Sequence, residues 1–213
     1  MLAVLLLAVV AAAVVAPSLR SSSSSPVQAT CGGDHRWDVK TLSDPDADHV
    51  NFGTPKRKTI HYLMTRTDPG VHAHTPRDAD GSHVELTVYH LVGVQLKDAR
   101  IEDDADIHLV IRDKYGDEMI VEFPNTACKG ATTSAHKAEM KQARTDFATM
   151  CGLDSWATRT AKAGKKNLSG TASVVGVGFF DLVHNPPQDG VAGNNIELHP
   201  VLAFSVEGCQ VTP

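Results

Sequence analysis

Nowhere does the sequence reach the roughly 20 consecutive apolar residues that a membrane-spanning helix requires. Its longest uncharged apolar run, Leu2 to Ala16, covers 15 residues, the length of a secretory h-region. Pro17, a five-serine run and Val27-Gln28-Ala29 follow, and small residues before Thr30 suit signal peptidase. We expect residues 1–29 to be a signal peptide, the mature protein to be secreted or periplasmic, and no transmembrane anchor to remain. Positive charge is also in deficit, with 20 Lys+Arg against 25 Asp+Glu. Removing residues 1–29 takes away only Arg20 and leaves the mature chain one unit more negative than the whole chain's −5. Non-specific nucleic-acid binding draws on a positive field that releases counterions, so bare nucleic acid is disfavoured as a partner. A Gly-rich phosphate loop, a G-x-S-x-G elbow, a paired-cysteine zinc spacing and internal repeats are all absent. Aromatic residues make up 5 % of the chain. Trp37 and Trp156 fall in irregular segments and read as core anchors, not stacking platforms.

The length suits one domain with a real core, or two small ones. Residues 30–82 are rich in Asp, Pro, His and Gly, and only Ile60, Leu63 and Met64 show helical spacing. This segment reads as an N-terminal wrapping arm on a domain at 83–213. In that domain Val84, Leu86, Val88, Val92, Val94 and Leu96 alternate with polar residues as in a half-buried strand, interrupted only by His90. Gly93 marks a bulge or bend that lets one strand serve two sheets. Ile107, Leu109 and Ile111, then Met119, Val121 and Phe123, form a hairpin. If Ile111 faces Met119, then Leu109 faces Val121 on the core side and His108 faces Glu122 on the opposite, outward side. From Ser134 to Cys151 the period becomes helical, with Met140, Ala143, Phe147 and Met150 on one stripe. Residues 156–170 read as a solvated connection. Two strands close the chain. The first is Thr171 to Phe180, with Val175, Val177 and Phe179 inward. The second is Asn195 to Val206, with Ile196, Leu198, Leu202 and Phe204 on one face. Pro200 requires a free edge or a bulge there.

The resulting β-β-β-α-β-β order is that of a five-stranded OB-like Greek-key barrel, a mainly β (α+β) fold. Such a barrel binds on its second and third strands, flanked by loops that here fall near 98–105 and 182–194. In an exported chain four cysteines make two disulfides, with three connectivities open. The helix would hold Cys128 and Cys151 roughly 27 Å apart, which favours Cys31 with Cys128 and Cys151 with Cys209.

The phrases RWDVKTLSD (36–44), DIHLVIRD (106–113), EMIVEFPN (118–125), GVGFFDLVH (176–184) and NIELHPVL (195–202) resemble a largely uncharacterised family of secreted bacterial proteins with an OB-fold-like core. The resemblance spans nearly the whole mature chain. It implies export and a compact β-rich domain and carries no established activity. The strand order is also similar to that of the staphylococcal-type thermonucleases, whose chemistry uses an acidic calcium site, a water-activating Glu and phosphate-holding arginines. Here only Arg112 lies near the second strand of the domain, so this likeness concerns fold alone.

Two polar groups stand out. Asp106, His108 and Glu122 share the outward face of the hairpin and are candidate ligand-binding residues, although outward pairs on strands are ordinarily solvated contacts. Asp181, His184, Glu197 and His199 flank the last loop and are candidate metal ligands, although a structural hydrogen-bond cluster would use the same residues. If the groups converge on one rim, their imidazoles and carboxylates suit a divalent cation (zinc, manganese or calcium), or a His base oriented by a carboxylate. Asp44, Asp46 and Asp48 begin like an EF-hand, but His49 and Pro55 occupy positions that need Gly and Glu. Asp78 to Gly81 reads as a turn. His72 with His74 is a weak metal candidate, and Lys56-Arg57-Lys58 reads as an exposed basic run.

Two functions follow from these residues. The first is a secreted binding module for an extracellular oligomer, envelope glycan or protein partner. The second is a metal-dependent hydrolase, of the phosphodiesterase or nuclease kind, using the His/carboxylate rim.

Overall fold

The computed structural model describes residues 31–33, 35–183 and 189–213. The expected signal peptide and His184 lie outside them. The architecture is mainly β, built from six strands: β1 (Asn51–Lys58), β2 (Thr87–Ile101), β3 (Ile107–Arg112), β4 (Glu118–Phe123), β5 (Ala163–Phe180) and β6 (Ile196–Thr212). The helices are α1 (Trp37–Lys40), α2 (Ile60–Met64) and α3 (Lys137–Met150). β2, β3 and β4 are successively antiparallel, β4 pairs in parallel with β6, β6 is antiparallel to β5, and β5 returns antiparallel to β2. β1, which the sequence pattern does not mark because Pro55 and Lys56-Arg57-Lys58 break its alternation, runs parallel to the start of β2. β2 therefore serves two neighbours along one edge, β1 at its beginning and β3 at its end.

Bulges correct the expected faces. Gly93 adopts φ +73°, and the β2–β5 register shifts between Val92 and Val94. The extra residue inverts the alternation. Tyr89 and Leu91 before it, and Val94 and Leu96 after it, reach the core, whereas Val92 is 43 % exposed. In β6, His199 and Pro200 stand opposite Val177 alone, between the pairs Gly178/Leu198 and Gly176/Val201. Val201 consequently enters the core, and Leu202 packs into a second apolar cluster. That cluster joins Leu42 and Val50 to Val88 and Val177, with Val175 beside them. The face of β5 expected to point inward thus lies under the N-terminal segment.

In α3 the buried residues are Met140, Ala143, Arg144, Phe147 and Ala148, and Met150 is exposed. Trp156 is buried, Trp37 is half-buried, and β5 begins at Ala163, within the stretch expected to be a connection. Both favoured disulfides form, Cys31–Cys128 and Cys151–Cys209. Two buried guanidinium forks hold the N-terminal segment down. Arg36 reaches both oxygens of Glu85 at 2.8 and 2.6 Å, and Arg77 those of Asp44 at 3.0 and 2.7 Å. Each also donates to backbone carbonyls. This clamp sets α1, with Lys40 at its end, over the polar face of β4.

Candidate metal centre

The hairpin register is the expected one, with His108 opposite Glu122 and His108 Nδ1 2.9 Å from Glu122 Oε1. Their setting is not the solvated one expected. Each residue is 2 % exposed, because β6 closes against β4 and α1 covers what remains. The parallel pairs Ile120/Glu197 and Val121/Leu198 bring His199 alongside Glu122. His199 Nδ1 is 2.9 Å from Glu122 Oε2, and its Nε2 is 3.1 Å from Asp106 Oδ2. Asp106 and His199 are both 0 % exposed. Asp106 is fixed through its other oxygen, which accepts the Asn125 amide at 3.2 Å.

These close contacts lack hydrogen-bond geometry. Asp106 Oδ2, Glu122 Oε2 and both His199 nitrogens have no hydrogen-bond partner, and neither do Glu197 Oε2 and His108 Nε2. The ion pairs that His199 makes with Glu122 and Asp106 serve four of these atoms, and a buried polar atom left without any partner costs about 1–3 kcal/mol. Ligand atoms of Asp106, Glu122 and His199 lie within 4.8 Å of one another, a spacing that a single cation can span. A second set, Glu102, His108 and Glu122, meets the same limit on the other side of Glu122. That set already has a cation, because Arg100 donates to Glu102 Oε1 at 2.9 Å and approaches His108 Nδ1 at 3.4 Å.

Lys40 Nζ stands 3.7 Å from Glu122 Oε2 and 3.8 Å from Asp181 Oδ1. Burial opposes its charge, but Glu122, Asp181, Glu197 and Asp104 outweigh burial and raise its pKa. Burial also opposes charge on His199, yet Glu122 and Asp106 raise its pKa. Glu122 is held well below the usual carboxylate range, because Lys40, His199 and His108 overcome its burial. Burial and the nearby Asp181 and Glu122 push Glu197 well up. Asp104 is pushed up to about 7 by burial and by Asp106 and Glu122. The cluster carries more buried carboxylates than Lys40 can match.

Glu122 therefore touches both His108 and His199, His199 also touches Asp106, and Asp181 meets Lys40, whose charge Glu197 also favours. The weaker candidates lie elsewhere. Asp44 is bound by Arg77, Asp80 caps Ser82 in a turn, His72 and His74 are exposed, and Arg112 pairs with Glu118. Sequence reasoning missed Lys40, Arg100 and Arg144. Lys40 carries no local signal. Arg100 escapes the alternation, because a register shift between Leu96 and Asp98 moves it from the apolar face to a place opposite His108. Arg144 lies at helical spacing from Met140 and Ala148, on the buried stripe.

A cleft of about 660 Å³ opens beside the cluster, with Gly33, His35, Arg100, Glu102, Asp104 and Lys162 among its walls. Glu102 belongs both to the cleft and to the Glu102, His108 and Glu122 group, whereas the buried Asp106, Glu122 and His199 do not line it. Comparisons with protein-family models, with curated proteins and with solved structures find no match.

Proposed function

We propose that this chain is an exported metal-dependent hydrolase on an OB-like Greek-key barrel. The ring β2-β3-β4-β6-β5, with α3 between β4 and β5, supports the OB reading, in which ligands meet the second and third barrel strands, here β3 and β4. Two disulfides fit an oxidising compartment. The observation that carries the functional reading is the buried convergence of Asp106, Glu122 and His199, whose ligand atoms lie within 4.8 Å of one another. One nitrogen and two carboxylate oxygens, with Glu197 and His108 adjacent, suit zinc or manganese better than calcium, which prefers oxygen ligands alone.

A bound divalent ion would polarise the scissile group and lower the pKa of water. The chain's own residues supply the rest. Asp106 and Glu122 hold negative charge at the ion, and Lys40 offsets the carboxylates behind it. His108 has Nδ1 on Glu122 and Nε2 unpartnered, so it is the base that takes a proton from the attacking water. In hydrolysis the water oxygen bonds to the ester centre as the ester bond breaks. The departing oxygen keeps the bonding pair and gains a proton.

The test is native mass spectrometry and thermal shift of the chelator-stripped protein titrated with zinc, manganese and calcium. We expect one ion bound at micromolar concentration, and loss of that ion in a folded His199→Ala variant. If no ion binds, the hydrolase reading is discarded.

A second reading, a binding module for an extracellular or envelope ligand, is favoured by a groove beside β1. Arg57, Lys58 and Lys114 surround the exposed Val92 there, and Asp113 is occupied by the His61 and Tyr115 amides. Retention on an anionic polymer that is lost in Arg57→Glu/Lys58→Glu would support it, and unchanged retention would remove it.

A further inference from the structure

Lys56, Arg57 and Lys58 end β1, and Lys114 stands in the turn between β3 and β4. None of the four forms an ion pair among the described residues, in a chain whose net charge is −5. Lys58 Nζ rests 4.0 Å from the centre of the Tyr62 ring, and Lys114 Nζ 4.9 Å from that of Tyr115. Ring faces orient an ammonium without neutralising it. Arg57, Lys58 and Lys114 line the groove of about 430 Å³ beside β1, and its Asp113 is already engaged by two backbone amides. Positive charge there is left for a ligand to balance. A second groove, of about 290 Å³, shares Val92 and Gly93 with the first. The bulge leaves Val92 43 % exposed on that shared wall. The rest of the second groove is lined largely by hydroxyls, with Ser173 of β5 opposite Ser205 of β6 and Thr171 opposite Glu207. Thr171 and Ser205 are exposed, while Ser173 meets His90 Nε2 at 2.7 Å.

We propose that the two grooves form one binding track for an acidic polysaccharide in which charged sugars alternate with neutral ones. The inference rests on the second reading above, names its ligand class, and needs nothing from the ion pocket. A sugar carboxylate meets Arg57, Lys58 and Lys114, where charge complementarity draws it in. Val92 lies under the C–H face of a ring that crosses the shared wall. The hydroxyls of the next, neutral sugar reach Thr171 and Ser205, each of which can both donate and accept. Glu207 gives the track its selectivity, because a polymer with an anion on every unit would set one of them against its carboxylate.

The test is isothermal titration of the mature protein with hyaluronan oligosaccharides, in which glucuronate alternates with N-acetylglucosamine. Polyglutamate of matched charge and neutral dextran are the controls. Hyaluronan should bind with about tenfold or higher affinity than polyglutamate, and dextran should not bind. Thr171→Ala/Ser205→Ala removes two exposed hydroxyls and should weaken hyaluronan binding by about tenfold, with polyglutamate binding changed by less than about twofold. Ser205→Glu sets a second carboxylate in the hydroxyl groove and should also weaken hyaluronan binding, which serves as the readout should the double variant not fold. Equal affinity for hyaluronan and polyglutamate overturns this inference and leaves the second reading standing. Unchanged hyaluronan affinity in folded variants of the hydroxyl groove does the same. Dextran bound as tightly as hyaluronan, or no binding of either polyanion, overturns the second reading as well.

Discussion

His199 faces a carboxylate from each ring nitrogen, Glu122 at 2.9 Å and Asp106 at 3.1 Å, and these three residues could hold a metal ion. His199→Ala should lower zinc or manganese affinity by roughly 100-fold or more, read by equilibrium dialysis. Arg144 works at one remove. It is 1 % exposed and donates to the carbonyls of Ala105, Phe123, Trp156, Ala157 and Arg159. Two of those carbonyls belong to the residues next to Asp106 and Glu122. Arg144→Met should cost about 3 kcal/mol or more in urea unfolding, since each carbonyl left dry costs about 1–3 kcal/mol, and should weaken metal binding too. The pairing of His108 with Glu122 was legible from alternation. Its burial was not, because Lys40 and His199, which help to seal it, come from segments distant in sequence.

Among the elements, β2 and β6 do the positioning, and each does so through an irregularity. The Gly93 bulge turns Val94 and Leu96 to the core, and a second register shift between Leu96 and Asp98 sets Arg100 opposite His108. A Cβ on Gly93 would meet nothing within 4 Å. Gly93→Ala should therefore cost only the left-handed backbone penalty, about 1–2 kcal/mol, measured by denaturant melts. Loss of several kcal/mol would show that the bulge itself had moved. In β6 the two-residue offset opposite Val177 sets His199 against Asp106 and Glu122. Sequence alternation located the strands and flagged Gly93 and Pro200 as irregular. It could not give the direction of the phase change, because that depends on the partner strand. β1 escaped notice because an edge strand protected by proline and basic residues has no apolar alternation to read.

For the whole molecule, the burial of opposed charges makes stability depend on pH. In the metal-free protein Asp104 rises from 3.8 to about 7, and the folded state binds more protons than the unfolded one between those values, so stability falls as pH rises through that window. His199, raised above 6.5, acts in the same direction, since its contribution is full below its unfolded value and fades as pH climbs through the folded one. Glu122, lowered in the fold, opposes them only in acid, where its stabilisation is lost as pH drops below the usual carboxylate range. Urea melts should thus show the metal-free protein less stable at pH 8 than at pH 5.5. Metal should reverse the trend, because its ligands bind it deprotonated. Cys31 and Cys128 join the cleft wall to the loop after β4. Replacing both by Ser should cost about 2–5 kcal/mol, read by urea unfolding.

Local rules sufficed for the mainly β character, the hairpin register and the long helix, since each depends on near-neighbour spacing, whereas the reach of the helix removed only one of three disulfide connectivities. The site arose from closure of the sheet. Asp106, Glu122 and His199 sit on a loop and two strands that meet only when β4 pairs with β6, and Lys40 arrives only because two buried arginines clamp the N-terminal segment in place. Alternation tells which residues share a face, and only the packed chain decides whether that face meets water or more protein.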